Sequence, residues 1–186
     1  MALLKILVAP DPRLKIKAKP IKQVDAEVKQ LMNDMLETMY AAPGIGLAAT
    51  QVGVDKRVIV VDVSNIKEGE TPNPIKLANP EIVEASENEV EVQEGCLSVP
   101  TFYEDVVRAE TCIVKGLDEN NREITIKAEG WLAICLQHEI DHLNGVLFVD
   151  HLSRTKRSMI LKKLQKAKKA GQFDDNGSPN DKNVAL

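Results

Sequence analysis

His138, Glu139 and His142 spell H-E-x-x-H within residues 130–145, and this stretch constrains the fold more than any other in the chain. Residues four apart on a helix lie one above the other on a single face. Two imidazoles placed that way can bind one metal ion, with the intervening Glu139 beside them as a base. The neighbours favour a helix. Trp131, Leu132, Ala133, Ile134, Cys135, Leu136, Ile140 and Leu143 make it apolar on most sides, which predicts that it is buried. Gly145 is placed to end it in a left-handed cap.

Two histidines leave a catalytic metal centre incomplete, because it takes a third protein ligand and keeps an open position. H-E-x-x-H-x-x-G-x-x-H proteases carry a third His six residues on. This chain keeps Gly145 but has Phe148 at that place. Other proteases use a downstream Glu, and no Glu follows Glu139. Cys135 shares the histidine face but sits about 10 Å along the axis from His142, at ~1.5 Å rise per residue, beyond the reach of a short thiol. Asp150 and His151 stay open as ligands, and Cys96, upstream, is the better candidate.

The chain has 186 residues, enough for one domain with a core. Its net charge of −4 gives no general pull towards nucleic acid, so DNA is not an expected partner. No apolar run approaches a membrane span, and the start lacks the layout of a signal peptide. The 3 cysteines, an odd count, suit a reducing cytosol rather than a disulfide framework, so a cytoplasmic protein is expected.

In order, residues 3–9 read as a short strand, followed by a Pro-rich loop. Asp25 can cap a helix over about 26–42, with Val28, Leu31, Met32, Met35, Leu36 and Met39 on one stripe as core filler. Residues 44–51, Gly-Ile-Gly-Leu-Ala-Ala-Thr-Gln, lack a phosphate-loop signature and read either as a plain turn or as backbone that must approach a ligand. Strands are predicted at 57–63, 81–85 and 89–93. Residues 106–116 and 122–127 alternate like two strands of a hairpin. Ser153 can cap a last helix over 154–170, with Met159, Ile160, Leu164 and Ala167 as its narrow apolar side. That helix carries Arg154, Lys156, Arg157, Lys162, Lys163, Lys166, Lys168 and Lys169 and no acid, which suits an anionic partner. The expected architecture is α+β: antiparallel sheets around a central H-E-x-x-H helix, with an N-terminal and a C-terminal helix. Residues 1–170 form the single expected domain, 153–170 its basic helix, and 171–186 a polar, disordered tail.

Residues 44–51, 94–100 (Glu-Gly-Cys-Leu-Ser-Val-Pro) and 137–142 together resemble, in order and separation, the three motifs of peptide deformylases. The resemblance runs from about residue 3 to 165. It implies Cys96, His138 and His142 as metal ligands, Glu139 as the catalytic carboxylate, and Gln51 with the Leu97 N–H as holders of the substrate oxygen. It also implies Fe2+ as the cellular metal, with Zn2+, Ni2+ or Co2+ as substitutes. The substrate would be the formyl-methionine that begins a nascent chain, and formate a product. In the implied mechanism a metal-held water, its pKa lowered, attacks the formyl carbon while Glu139 takes and returns a proton. Ile45, Val92, Trp131, Ile134, Cys135 and His138 would line the methionine pocket, and Ile45, Gly46 and Gly95 would pair with the peptide backbone. Arg108 is expected to pair with Glu94. Tyr103 stands where many relatives place Arg, and Pro43 where many are acidic. In some relatives the last helix docks on the ribosome, so the basic helix is expected to do so here; a monomer is expected. The rival readings are a metallopeptidase of another class and a non-catalytic, ribosome-associated metal protein.

Overall fold

The computed structural model describes residues 2–66 and 69–173. Most of the tail expected to be disordered, from residue 174, lies outside the described residues. A sheet of five antiparallel strands runs in the order β1 (Gly46–Ala48), β2 (Val58–Val61), β3 (Ile75–Ala85), β6 (Thr111–Leu117), β7 (Glu123–Glu129). A separate two-stranded ribbon pairs β4 (Glu89–Cys96) with β5 (Val99–Ala109). Three helices, α1 (Ala26–Ala41), α2 (Gly130–Leu143) and α3 (Arg154–Lys169), complete the α+β architecture.

Strand side chains alternate between two faces, and β2 shows what this achieves. Ile59 and Val61 join the core beneath α2, against Leu136, Ile140 and Leu143. Val58 and Val60 join the opposite core, against Val28, Met32, Met35 and Met39 of α1. The sheet is therefore covered by a helix on each face, and the methionine stripe is fully buried. A third cluster joins Val99 and Val106 of the ribbon to Phe148, Ile160 and Leu164. At one side of the large sheet β1 has a single strand neighbour, β2.

The caps follow from local sequence. Asp25 accepts from Val28 N at 2.9 Å and Ser153 from Lys156 N at 3.3 Å. Gly145 has φ +74°, and the bonds Gly145 N→His142 O (3.1 Å) and Val146 N→Asp141 O (2.9 Å) close the end of α2. A Cβ at Gly145 would stand 2.5 Å from the Lys15 carbonyl oxygen, so glycine is required there on two counts.

Three expectations need correction. Residues 106–116 form the end of β5 and the start of β6, in different sheets. Burial keeps its period of two through Val106, Arg108, Cys112 and Val114, so alternation does not reveal the break at Glu110. Residues 3–9 make no ladder. Instead Ile6 to Ala9 are buried, with backbone bonds Leu7 N→Gln51 O (2.7 Å) and Ala9 N→Ser98 O (2.8 Å). Trp131, counted in the apolar pattern that predicts a buried α2, is 45% exposed, because the first turn of α2 emerges at the protein surface.

Candidate active site

Three segments converge: the turn after β1, the end of β4, and the middle of α2. On α2, the four-residue spacing stacks His138 over His142. Their Nε2 atoms lie 3.2 Å apart, and Cys96 Sγ lies 3.2 Å from His142 Nε2. Cys96, His138 and His142 offer donor atoms all within 4.8 Å of one another, and they are the one such group of three among the described residues. Donors around a tetrahedral ion at about 2.0–2.3 Å stand roughly 3.3–3.7 Å apart, so the spacing suits one divalent ion. Asp150 and His151 face elsewhere: Asp150 accepts from Leu147 N and Arg157, and His151 Nε2 donates to Asp141 Oδ2. Phe148, at the place of a third histidine in other proteins, stacks on the His138 ring at 6.4 Å between centroids.

His138 is oriented from behind. Its Nδ1 lies 2.8 Å from Glu94 Oε2, which fixes the tautomer that turns the Nε2 lone pair towards Cys96. Arg108 grips both Glu94 oxygens, at 2.7 and 2.9 Å, with both side chains buried. The pairing with Glu94 is thus an interior one, not a surface contact. Burial alone would raise the Glu94 pKa, but hydrogen bonds from Arg108 and His138 reverse this and bring it down to about 2. Burial lowers both imidazoles; at His138 the Cys96 and Glu94 bonds overcome it, whereas at His142 the neighbouring His138 charge adds to it. Two imidazoles this close cannot both be cationic, and a divalent ion accepts both as neutral ligands.

Glu139 is 3% exposed and its Oε2 has no hydrogen-bond partner. Burial, with the Glu94 charge adding to it against His138, pushes its pKa up to about 7. Gln51 is anchored through its own oxygen, which accepts from Ala48 N at 2.8 Å. Its Nε2 is thereby aimed at Ser98 Oγ (3.1 Å) and Cys96 Sγ (3.6 Å). Thr50 Oγ1 donates to His142 O (3.2 Å) and ties that turn to the histidine helix.

A cavity of about 430 Å3 opens beside these groups. Ile45, Gly46, Gln51, Gly95, Cys96, Leu97, Trp131, Ile134, Cys135, His138 and Glu139 all line it. Val92 does not; the next residue, Gln93, does. On the alternating ribbon Val92 pairs with Val106, while Gln93 falls on the other face. Phe102 and Tyr103 also line the cavity; the sequence reading marks Tyr103 only as a departure from relatives and does not name Phe102. The signal was the tight return of β5, which pairs Val99 with Cys96 and brings the next residues back past the ligand. A Cβ on Gly95 would meet Tyr103 Cε1 at 2.5 Å. One on Gly46 would stand 2.4 Å from Glu139 Oε1 and 2.7 Å from Cys135 Sγ, so this glycine lets α2 approach β1. Cys135 is a cavity wall: its Sγ donates to Ile45 O at 3.4 Å, and burial raises its pKa well above the usual thiol range.

Fold and site together define a class: an α+β protein whose H-E-x-x-H helix meets a cysteine to make a Cys-His-His centre. Comparison with known proteins narrows the class. The sequence profile of polypeptide deformylase matches residues 3–158. A peptide deformylase from Methylocella silvestris is 55% identical over 180 residues, covering 96% of this chain and 92% of that protein. One from Cellvibrio japonicus is 56% identical over 171 residues, 92% of this chain and 99% of that protein. The crystal structure of peptide deformylase from Ehrlichia chaffeensis superposes with a TM-score of 0.86 at 42% identity, covering 91% of this chain and 99% of that one. A structure from the same organism in complex with actinonin gives 0.85 at 46% identity, with 89% and 98% covered. The chain belongs to the polypeptide deformylase family.

Proposed function

We propose that the protein hydrolyses the formyl amide at the start of nascent polypeptides, releasing formate and a free amino terminus of methionine. The observation that carries this reading is the convergence of Cys96, His138 and His142 beside a buried carboxylate with one unpartnered oxygen, at the edge of an apolar cavity. Cys96, His138 and His142 would hold one divalent ion, which when bound supplies Lewis-acid polarisation and a more acidic water. The likeness to the family favours Fe2+. The donor set also admits Zn2+, Ni2+ or Co2+, and a thiolate beside Fe2+ makes oxygen-sensitive activity the expected behaviour.

The protein's own groups divide the remaining work. Glu139 takes the proton from the attacking water and returns one to the leaving amine. Gln51 Nε2, held by Ala48, and the Leu97 N–H meet the oxygen that gains charge. The methionine side chain fills the cavity against Ile134, Cys135 and Trp131. Its backbone adds along Ile45 and Gly46 at the free side of β1, and Gly95 faces it from the ribbon. Residues 1–170 act as one catalytic unit in this reading. Work on nascent chains places it in the cytoplasm, and no helix among the described residues is long and apolar enough to cross a membrane. Contact of α3 with ribosomal RNA phosphates belongs to the same proposal.

Formate release from formyl-Met-Ala, measured together with metal content on anaerobically prepared protein, tests it. Turnover on that peptide, none on the unblocked peptide, and one ion per chain are expected. Cleavage of internal peptide bonds, or no formate from a metal-loaded sample, would overturn the reading.

A further inference from the structure

The bonds that orient His138 do not stop at Arg108. The guanidinium uses Nε and Nη2 on Glu94 and turns Nη1 to Asp141 Oδ2 at 2.5 Å. The same Asp141 oxygen lies 2.9 Å from His151 Nε2. Five groups from four elements thus form one line: His138 and Asp141 on α2, Glu94 on β4, Arg108 on β5, and His151 on the short turn Phe148–His151. Side-chain exposure rises along it, from 3% at Glu94 and 5% at Arg108 to 25% at Asp141 and 36% at His151.

We propose that His151 is a positioning residue for the reaction: by holding Asp141 it fixes the third side of Arg108 and, through Glu94, the tilt of His138. The reason lies in how few groups set each orientation. Glu94 spends both oxygens on Arg108, so its plane follows the guanidinium. That plane is set on its far side by Asp141 alone. Asp141 stands on the outer side of α2, partly open to water, where a lone carboxylate rotates freely. A second donor on Oδ2, beside Arg108, removes that freedom. His151 Nε2 is that donor; it lies only 3.5 Å from Arg108 Nη1, so the two converge on one oxygen. Groups that hold a ligating imidazole from behind alter metal affinity by about 10–100-fold. His151 acts two groups further out, and its effect should be smaller. The inference rests on the reading of Cys96, His138 and His142 as metal ligands.

Cobalt(II)-loaded protein tests it, with His151→Ala and His151→Gln against the parent. Glutamine keeps an N–H donor near the place of Nε2. In the parent, a thiolate-to-cobalt band and tetrahedral d–d bands are expected. In His151→Ala the d–d bands should shift, and cobalt release to a chelator should quicken ~3–10-fold. The turnover number on a formyl-Met peptide should fall by a similar factor with KM unchanged. His151→Gln should recover most of the parent's spectrum and rate, and neither variant should change the thermal midpoint of the metal-free protein. A His151→Ala spectrum, release rate and turnover equal to the parent's would overturn the proposal while leaving the ligand assignment intact. A parent spectrum without the thiolate band would refute the ligand assignment, and the role of His151 with it.

Discussion

Helices α2 and α3 are of similar length, 14 and 16 residues, yet they solve opposite problems. In α2 ten residues are buried, including Gln137, His138, Glu139 and His142. In α3 only Ile160 and Leu164 are buried, and its cations point outward. Polar groups on α2 are expensive to bury, and most are held by a specific partner, with Glu139 Oε2 and His142 Nδ1 buried without one. Those on α3 are nearly free of such demands: Lys156 meets Glu104 and Arg157 meets Asp150, while Arg154, Lys162, Lys163, Lys166 and Lys169 form no ion pair among the described residues. Chemistry that depends on fixed geometry sits on the dry helix; contact with a large charged partner suits the wet one.

Substitutions at the two helices should therefore differ in kind. Glu139→Gln should lower formate release about 10²–10⁴-fold with metal content unchanged; the parent's rate would reduce α2 to a scaffold. In the ribbon that backs α2, Arg108→Met leaves the Glu94 charge buried without its guanidinium, at a cost of about 3–5 kcal/mol in urea unfolding. On the exposed α3, Lys156→Met should leave the unfolding free energy almost unchanged. A similar loss in both would erase the contrast. Acid sharpens it further. The folded pKa of Glu94 is lowered to about 2 from 4.5, so its contribution is complete above pH 4.5 and is lost as pH falls towards 2. Unfolding free energies measured across that window should drop by about 3 kcal/mol on its account, and Glu94→Gln should flatten that slope. The smallest effect belongs to Lys162, Lys163 and Lys166 changed together to Gln. Stability should stay within about 0.5 kcal/mol and short-peptide turnover should be unaffected, while ribosome co-sedimentation weakens and becomes less sensitive to salt.

Local features of this fold were readable in the sequence because their causes are local. Asp25, Ser153 and Gly145 sit where helices start or stop, and the four-residue spacing of His138 and His142 is a property of the helix itself. Cys96 was different. Nothing near it says that it will meet α2; the poor fit of the other candidates pointed to it, and the likeness of three separated motifs singled it out. Residues 106–116 misled because a period of two reports which side faces inward, and not which sheet a strand joins. Trp131 misled because an apolar pattern does not say where a helix leaves the core. The line from Glu94 to His151 was legible only in its first pair, since the remaining partners come from other elements and meet only in the folded chain.

The edge of β1 that pairs with no other strand among the described residues has a consequence for the proposed docking of a peptide along it. A strand edge offers amide and carbonyl groups, and every polypeptide carries the same ones. A catalyst that recognises its clients in this way is indifferent to most of what their genes encode. In the proposed binding mode, only the initiator residue, common to all of them, has to fit a shaped hole. The proteome is then free to diversify just downstream of its start codons without escaping the enzyme.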